Sequence, residues 1–153
     1  MEKTSNTNLV GKVYSINRSF QKGMPKKPVG FGYFKLGVGM AGDAHSNPDD
    51  PARQVSLLAH EDYSLFDKEV PIGTYEENIT TEGIEIYNLP IGTQLSIGKK
   101  VLLQIGLANS ENDIVDYNKM DGKLAAASRI VFAYLRAEGE VSEGDEIRII
   151  KPN

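Results

Sequence analysis

Short apolar runs, cut again and again by glycine, are the feature that most limits what this chain can become. Fifteen glycines are scattered through 153 residues. Between them lie runs such as LVGKVYSI at 9–16, ENITT at 77–81, QLSI at 94–97, KVLLQI at 100–105, IVFAYL at 130–135 and EIRII at 146–150. β-Branched and aromatic residues in near alternation mark strands rather than helices. The Gly, Pro, Asn and Asp clusters between them mark turns. The pattern predicts about seven or eight short strands with one or two short helices, one of them over 59–69 and a brief one near Ala125–Ala127. So few helices cannot cover both faces of a parallel sheet, and a closed or nearly closed β-barrel is the expected architecture.

A chain of this length is expected to form one domain, 1–153, with a core that needs no staples. Cysteine is absent, which excludes disulfides, thiolate metal sites and a cysteine nucleophile. Seventeen basic against 21 acidic residues give a net charge of −4, the wrong balance for general nucleic-acid binding. No apolar run approaches the ~20 residues of a membrane span, and the opening MEKTSNTNLV is polar. A soluble cytoplasmic protein with no membrane association is expected.

Two polar islands stand out. The first, GVGMAGDAHSNPDDPARQVSLL at 37–58, places Asp43, His45 and Arg53 close together after a glycine-rich bend. Its glycines fall at GxGxxG spacing, but DAHSNPDDP cannot open a helix, so a dinucleotide site is not expected. Asp43 and His45 are two apart and would point the same way on an extended segment. Such a pair can orient a general base or a ligand; alternatively Asp43 caps a turn and His45 sits in a loop. Arg53 suits bidentate oxyanion binding, or equally an internal salt bridge to Asp43 or Glu77. Gln54 and Ser56 share one strand face. The second island, GTYEENITTEG at 73–83, offers Glu77, Asn78, Thr80 and Thr81 as a polar cradle for a small ligand, or simply as strand and turn formers. The lysine-rich stretch KGMPKKPV at 22–29 reads as a solvated loop, and His60 as a surface residue.

Five blocks in order, GDAH at 42–45, RQVSLL at 53–58, ENITTEGI at 77–84, LPIGTQLSIG at 89–98 and EGDEI at 143–147, resemble the MOSC domain, found at the C-terminus of molybdenum cofactor sulfurases and as small free-standing bacterial proteins. The resemblance implies a β-barrel of the pyruvate-kinase barrel type. It also implies handling of molybdenum cofactor or a related anionic ligand in sulfur and molybdenum metabolism. Asp43 and His45 are then the catalytic candidates, and Arg53, Gln54, Ser56, Glu77, Asn78, Thr80 and Thr81 the cofactor-binding ones. Where relatives of this short type carry cysteines, Asn109 and Asp113 stand here. Asp113 is left as a candidate metal ligand, and a carboxylate cannot form a persulfide. Glu76 and Glu77 occupy the place where the amidoxime reductases of the family have an arginine, and an acid there opposes a pterin phosphate. Pyridoxal phosphate is not expected within this chain. The alternatives are a non-catalytic ligand- or partner-binding module on the same barrel, and a hydrolase using His45 as general base.

Overall fold

A computed structural model describes residues 9–21, 24–43, 54–65, 70–108 and 129–150, with only the backbone of 107 and 108. Eleven strands are found among them: β1 Val10–Arg18, β2 Lys27–Pro28, β3 Phe31–Lys35, β4 Gly39–Met40, β5 Val55–Ala59, β6 Ile79–Glu82, β7 Gln94–Ile97, β8 Val101–Ala108, β9 Val131–Ala137, β10 Gly139–Ser142 and β11 Glu146–Ile150. Among the described residues helix is limited to two 3-10 turns, His60–Leu65 and Ile86–Asn88. None of the described helices is long and apolar enough to cross a membrane.

Seven strands close into a barrel in the order β11-β7-β8-β9-β5-β6-β1, with β1 returning to β11. Closure leaves no open edge within the ring. Strand directions that alternate around an odd ring cannot all alternate, so at least one neighbouring pair must be parallel. That pair is β5–β6; the other six contacts are antiparallel. A parallel pair cannot be joined by a tight hairpin and needs a crossover. Here the crossover is the stretch 60–78, and it carries most of the second polar island.

Alternation sets what fills the barrel. β7 buries Leu95 and Ile97. β11 buries Ile147, and β5 with β9 contributes Val55, Leu57, Val131, Ala133 and Leu135. A register shift in the β1–β6 ladder between Val13 and Ser15 leaves Tyr14 without a direct partner. Such an insertion resets the inside–outside phase of a strand. Val13 and Ile16 both reach the core as a result, while Tyr14 points out and stacks on His60 with ring centroids 3.9 Å apart. Outside the barrel, Leu58, Tyr75 and Ile130 form a second cluster with Tyr63, Val70 and Phe132 beneath the crossover. A three-stranded sheet, β10-β3-β4, is appended to the barrel.

Several local expectations need correction. The stretch 59–69 was expected to be an amphipathic helix, but its described part is a 3-10 turn that buries no residue. The EGE at 138–140, which has the composition of a turn, instead leads into β10, because Gly139 to Ser142 pair with Phe34 to Phe31 of β3. β1 runs on past the 9–16 stretch: Asn17 and Arg18 complete it and pair with Pro28 and Lys27. The short helix expected near Ala125–Ala127 lies outside the described residues.

Candidate functional site

The crossover brings Asn78 to the head of β6, directly beside Ser56 of β5. The Asn78 amide N–H donates to the Ser56 carbonyl at 2.9 Å, and the Ser56 N–H donates to Asn78 Oδ1 at 3.1 Å. The side-chain nitrogen of Asn78 turns the other way. It donates to Asp43 Oδ2 at 3.2 Å and approaches Met40 Sδ at 3.7 Å. The two polar islands therefore meet at Asn78, which is bonded to Ser56 on one side and to Asp43 on the other.

Asp43 is placed there by the glycine-rich bend. Gly39 (φ +105°) passes so close to β5 that an added Cβ would lie 2.4 Å from the Gln54 carbonyl oxygen. Gly42 (φ +79°) leaves room for the Arg18 guanidinium, which would sit 3.0 Å from a Cβ at that position. Both requirements exclude a side chain. The Asp43 carboxylate then collects four donor contacts. Lys26 Nζ lies 2.9 and 2.8 Å from its two oxygens, the Ser19 N–H 2.9 Å from Oδ1, and Asn78 Nδ2 completes the set. Lys26, expected to be solvated, is 3% exposed and is the counter-ion that the sequence could not identify. A buried carboxylate needs such a partner because desolvation without one is costly.

Next to this pair lies a hydrogen-bonded chain on the outer face of the barrel. Asn17 Nδ2 donates to Thr80 Oγ1 at 2.9 Å and to the Glu77 carbonyl at 3.1 Å, while its Oδ1 accepts from Ser15 Oγ at 2.7 Å. Glu77 is fully buried. Its Oε2 accepts from Thr80 Oγ1 and from Tyr63 Oη, both at 2.7 Å, and its Oε1 has no hydrogen-bond partner. Burial raises the pKa of Glu77 above the usual carboxylate range, and the Tyr63 and Thr80 hydrogen bonds only partly oppose it. Burial, then the Glu77 charge, likewise push the Tyr63 phenol up. Glu76, immediately before, has φ +72°, a left-handed conformation that costs a non-glycine residue about 1 kcal/mol. That strain is borne where the crossover turns into β6.

The structure thus gathers Asp43, Ser56, Glu77, Asn78 and Thr80 into one buried polar network. It does not draw in Gln54, whose Oε1 accepts the Leu135 N–H at 3.0 Å across the β5–β9 contact. Nor does it draw in Thr81, which is paired with Val13 and Ala59, facing the core, with Oγ1 unpartnered. His45, Arg53, Asn109 and Asp113 lie outside the described residues. Five participants were not singled out from sequence: Ser15, Asn17, Ser19, Lys26 and Tyr63. Only Lys26 carried a signal, an isolated lysine triplet beside prolines. The rest acquire their roles through contacts distant in sequence. Among the described residues no group of three His, Cys, Asp or Glu is arranged to hold a metal ion.

Arg18 differs from the rest of the network. Its guanidinium lies 4.4 Å over the Phe20 ring, its Nε is buried without a hydrogen-bond partner, and among the described residues no carboxylate pairs with it.

The architecture can be set beside known structures. YuaD from Bacillus subtilis superposes with a TM-score of 0.71 over 94% of this chain and 97% of that one, at 17% identity. YiiM from Geobacillus stearothermophilus gives 0.66 at 13% identity, over 92% of this chain and 75% of that one. YiiM from Escherichia coli gives 0.58 at 18% identity, over 97% and 72%. The fold is MOSC-like. No family model matches the sequence, and no curated protein matches it significantly. At such identities the shared property of the MOSC-like chains is the barrel, and the side chains of the site have to be judged on their own chemistry.

Proposed function

We propose that this MOSC-like barrel is a cytoplasmic binding protein of sulfur and molybdenum cofactor metabolism that takes an anionic ligand, of the molybdopterin phosphate class, without a thiolate bond. The observation that carries the reading is Arg18. Lys26 is neutralised by Asp43, whereas the Arg18 guanidinium is half-buried, lies over the Phe20 ring and has no carboxylate partner among the described residues. A guanidinium held in that way presents a planar fork suited to phosphate. On this reading Asp43, Ser56 and Asn78 position the contact residues, and His45 and Arg53 join Arg18 as those contacts.

The donor set fits the anionic part of such a ligand and does not fit a thiolate-bound molybdenum, because the chain contains no cysteine. Asp113 would supply only a hard oxygen donor, and no reaction step is assigned to the metal. The test is protein produced with molybdate present, analysed for molybdenum and for pterin fluorescence after oxidation. Wild-type protein should retain pterin, and Arg18→Gln should retain about tenfold less with its circular dichroism unchanged. Wild-type protein lacking both pterin and molybdenum would remove this reading. It would favour the second one, a non-catalytic partner-binding module. That second reading draws on the closure of the network, in which every polar side-chain atom of Asp43 and Asn78 is already engaged within the protein.

A further inference from the structure

We propose that Glu77 is held in the folded protein as the neutral carboxylic acid, its proton on Oε1, and that ionisation of this acid releases the 60–78 crossover from the barrel wall. The hydrogen-bond geometry limits where a proton can sit. Thr80 Oγ1 accepts from Asn17 and so has its own hydrogen to give to Glu77 Oε2. Tyr63 Oη accepts the Gly73 N–H at 3.2 Å and likewise gives its hydrogen to Oε2. Oε2 is therefore a double acceptor with no lone pair left for a proton, so the proton of the neutral acid is on the other oxygen. Oε1 is buried and meets no donor. Placing negative charge on a carboxyl with one bare oxygen in a dry site is the arrangement that burial most penalises.

The described charged and titratable groups near Glu77 fit this assignment. Tyr63, on the 3-10 turn, donates to it, and Tyr75 packs behind Tyr63 with ring centroids 5.2 Å apart. Lys26, between β1 and β2, is the nearby cation, and Asp43 holds its ammonium with both oxygens. Asp43 itself faces Glu77 only across Asn78 and adds a like charge on that side. Among the described residues no other cation is paired with Glu77.

The mechanical consequence follows from what the carboxyl joins. One oxygen links β6, through Thr80, to the crossover, through Tyr63, and Tyr63 in turn holds Gly73. Hydrating an ionised Glu77 means parting the crossover from the barrel. The sign is fixed by the raised affinity for the proton. In the unfolded chain Glu77 ionises at the ordinary carboxylate value, whereas in the folded one it still carries its proton there. Its contribution is complete below that ordinary value and declines as pH climbs toward the folded value.

The experiment uses the full chain without added ligand, so its outcome is independent of the anionic-ligand reading. Glutamate carboxyl carbons are labelled with 13C and followed by NMR as pH is raised, with Glu77→Gln used for assignment. The Glu77 resonance should keep its neutral-acid position through the pH range in which glutamate in an unfolded peptide ionises. Amide exchange of Glu76 and Asn78, taken as the ratio of wild type to Glu77→Gln, should rise as Glu77 ionises. A Glu77 resonance that moves within that ordinary range overturns the neutral acid, and a ratio that stays constant through its titration overturns the latch. If Glu77→Gln does not fold, Tyr63→Phe supplies both assignment and reference, and should move the Glu77 titration further from the ordinary value.

Discussion

Lys26 and Asp43 show how a single pair can organise a site. Neither ion is exposed by more than 3% of its side chain, and the two are 17 residues apart. Removing one partner leaves a bare charge in the interior. Asp43→Asn is therefore expected to lower stability by roughly 3–5 kcal/mol, and Lys26→Met by a similar amount. The double variant should cost clearly less than the sum of the two, because it leaves no unpaired ion. Urea denaturation of the four proteins measures this, and strict additivity would show that the two side chains do not act as a pair. Local sequence could not reveal the pair. A lysine flanked by prolines has the composition of a solvated loop, and only the return of the 37–43 bend to the end of β1 gives it a partner. Asp43, by contrast, was legible as a polar residue placed just after glycines that a close approach requires. Its neighbour His45, and Arg53 with it, fall in a stretch outside the described residues.

At the level of the element, β6 carries two different surfaces. Thr80 faces outward to Asn17 and Glu77, while Thr81 faces inward with Ile79 and Val13. Both threonines belonged to the cradle expected from ENITTEG, yet strand alternation sends them to opposite faces. The hydroxyl of Thr81 has no partner in the core. Thr81→Val keeps the shape and removes the unsatisfied group, so it should raise stability by about 1 kcal/mol. Thr80→Val should lower it, by about 1–3 kcal/mol, because Asn17 and Glu77 each lose a hydrogen bond in a buried place. Denaturation midpoints decide between the faces, and a loss of stability at Thr81 would mean that its hydroxyl has a partner after all. The alternation of QLSI at 94–97 and EIRII at 146–150 translated directly into strands, because period two is a local property. β10 was hidden, since EGE has turn composition and becomes a strand only when β3 is there to pair with it.

Across the whole molecule, stability depends on the ring being closed. β11 is the link, bonded to β7 on one side and to β1 on the other. Ile147 sits at that seam, fully buried and aligned with both Ile97 and Gly11. Ile147→Ala should cost roughly 2–5 kcal/mol through the cavity it leaves. Because the seam is shared, amide protection should fall together in β1, β7 and β11, as read by hydrogen exchange. Loss confined to β11 would mean that the barrel does not open as one unit.

The sequence by itself determined the strand-rich class, the inward face of most strands, the two polar islands and the lack of any thiol for metal or sulfur chemistry. These are properties of composition and of a two-residue period, and each can be read within a few neighbouring residues. Tertiary structure decided the rest. It set the one parallel contact that an odd ring demands and the crossover that contact requires. It also set the pairing of Lys26 with Asp43, the approach of Arg18 to Phe20, and the enclosure of Glu77. Each of these depends on segments brought together from far apart in the chain, so no local pattern can encode it. The closing of the barrel fixes which distant side chains become neighbours, and hence which charges must be matched inside it.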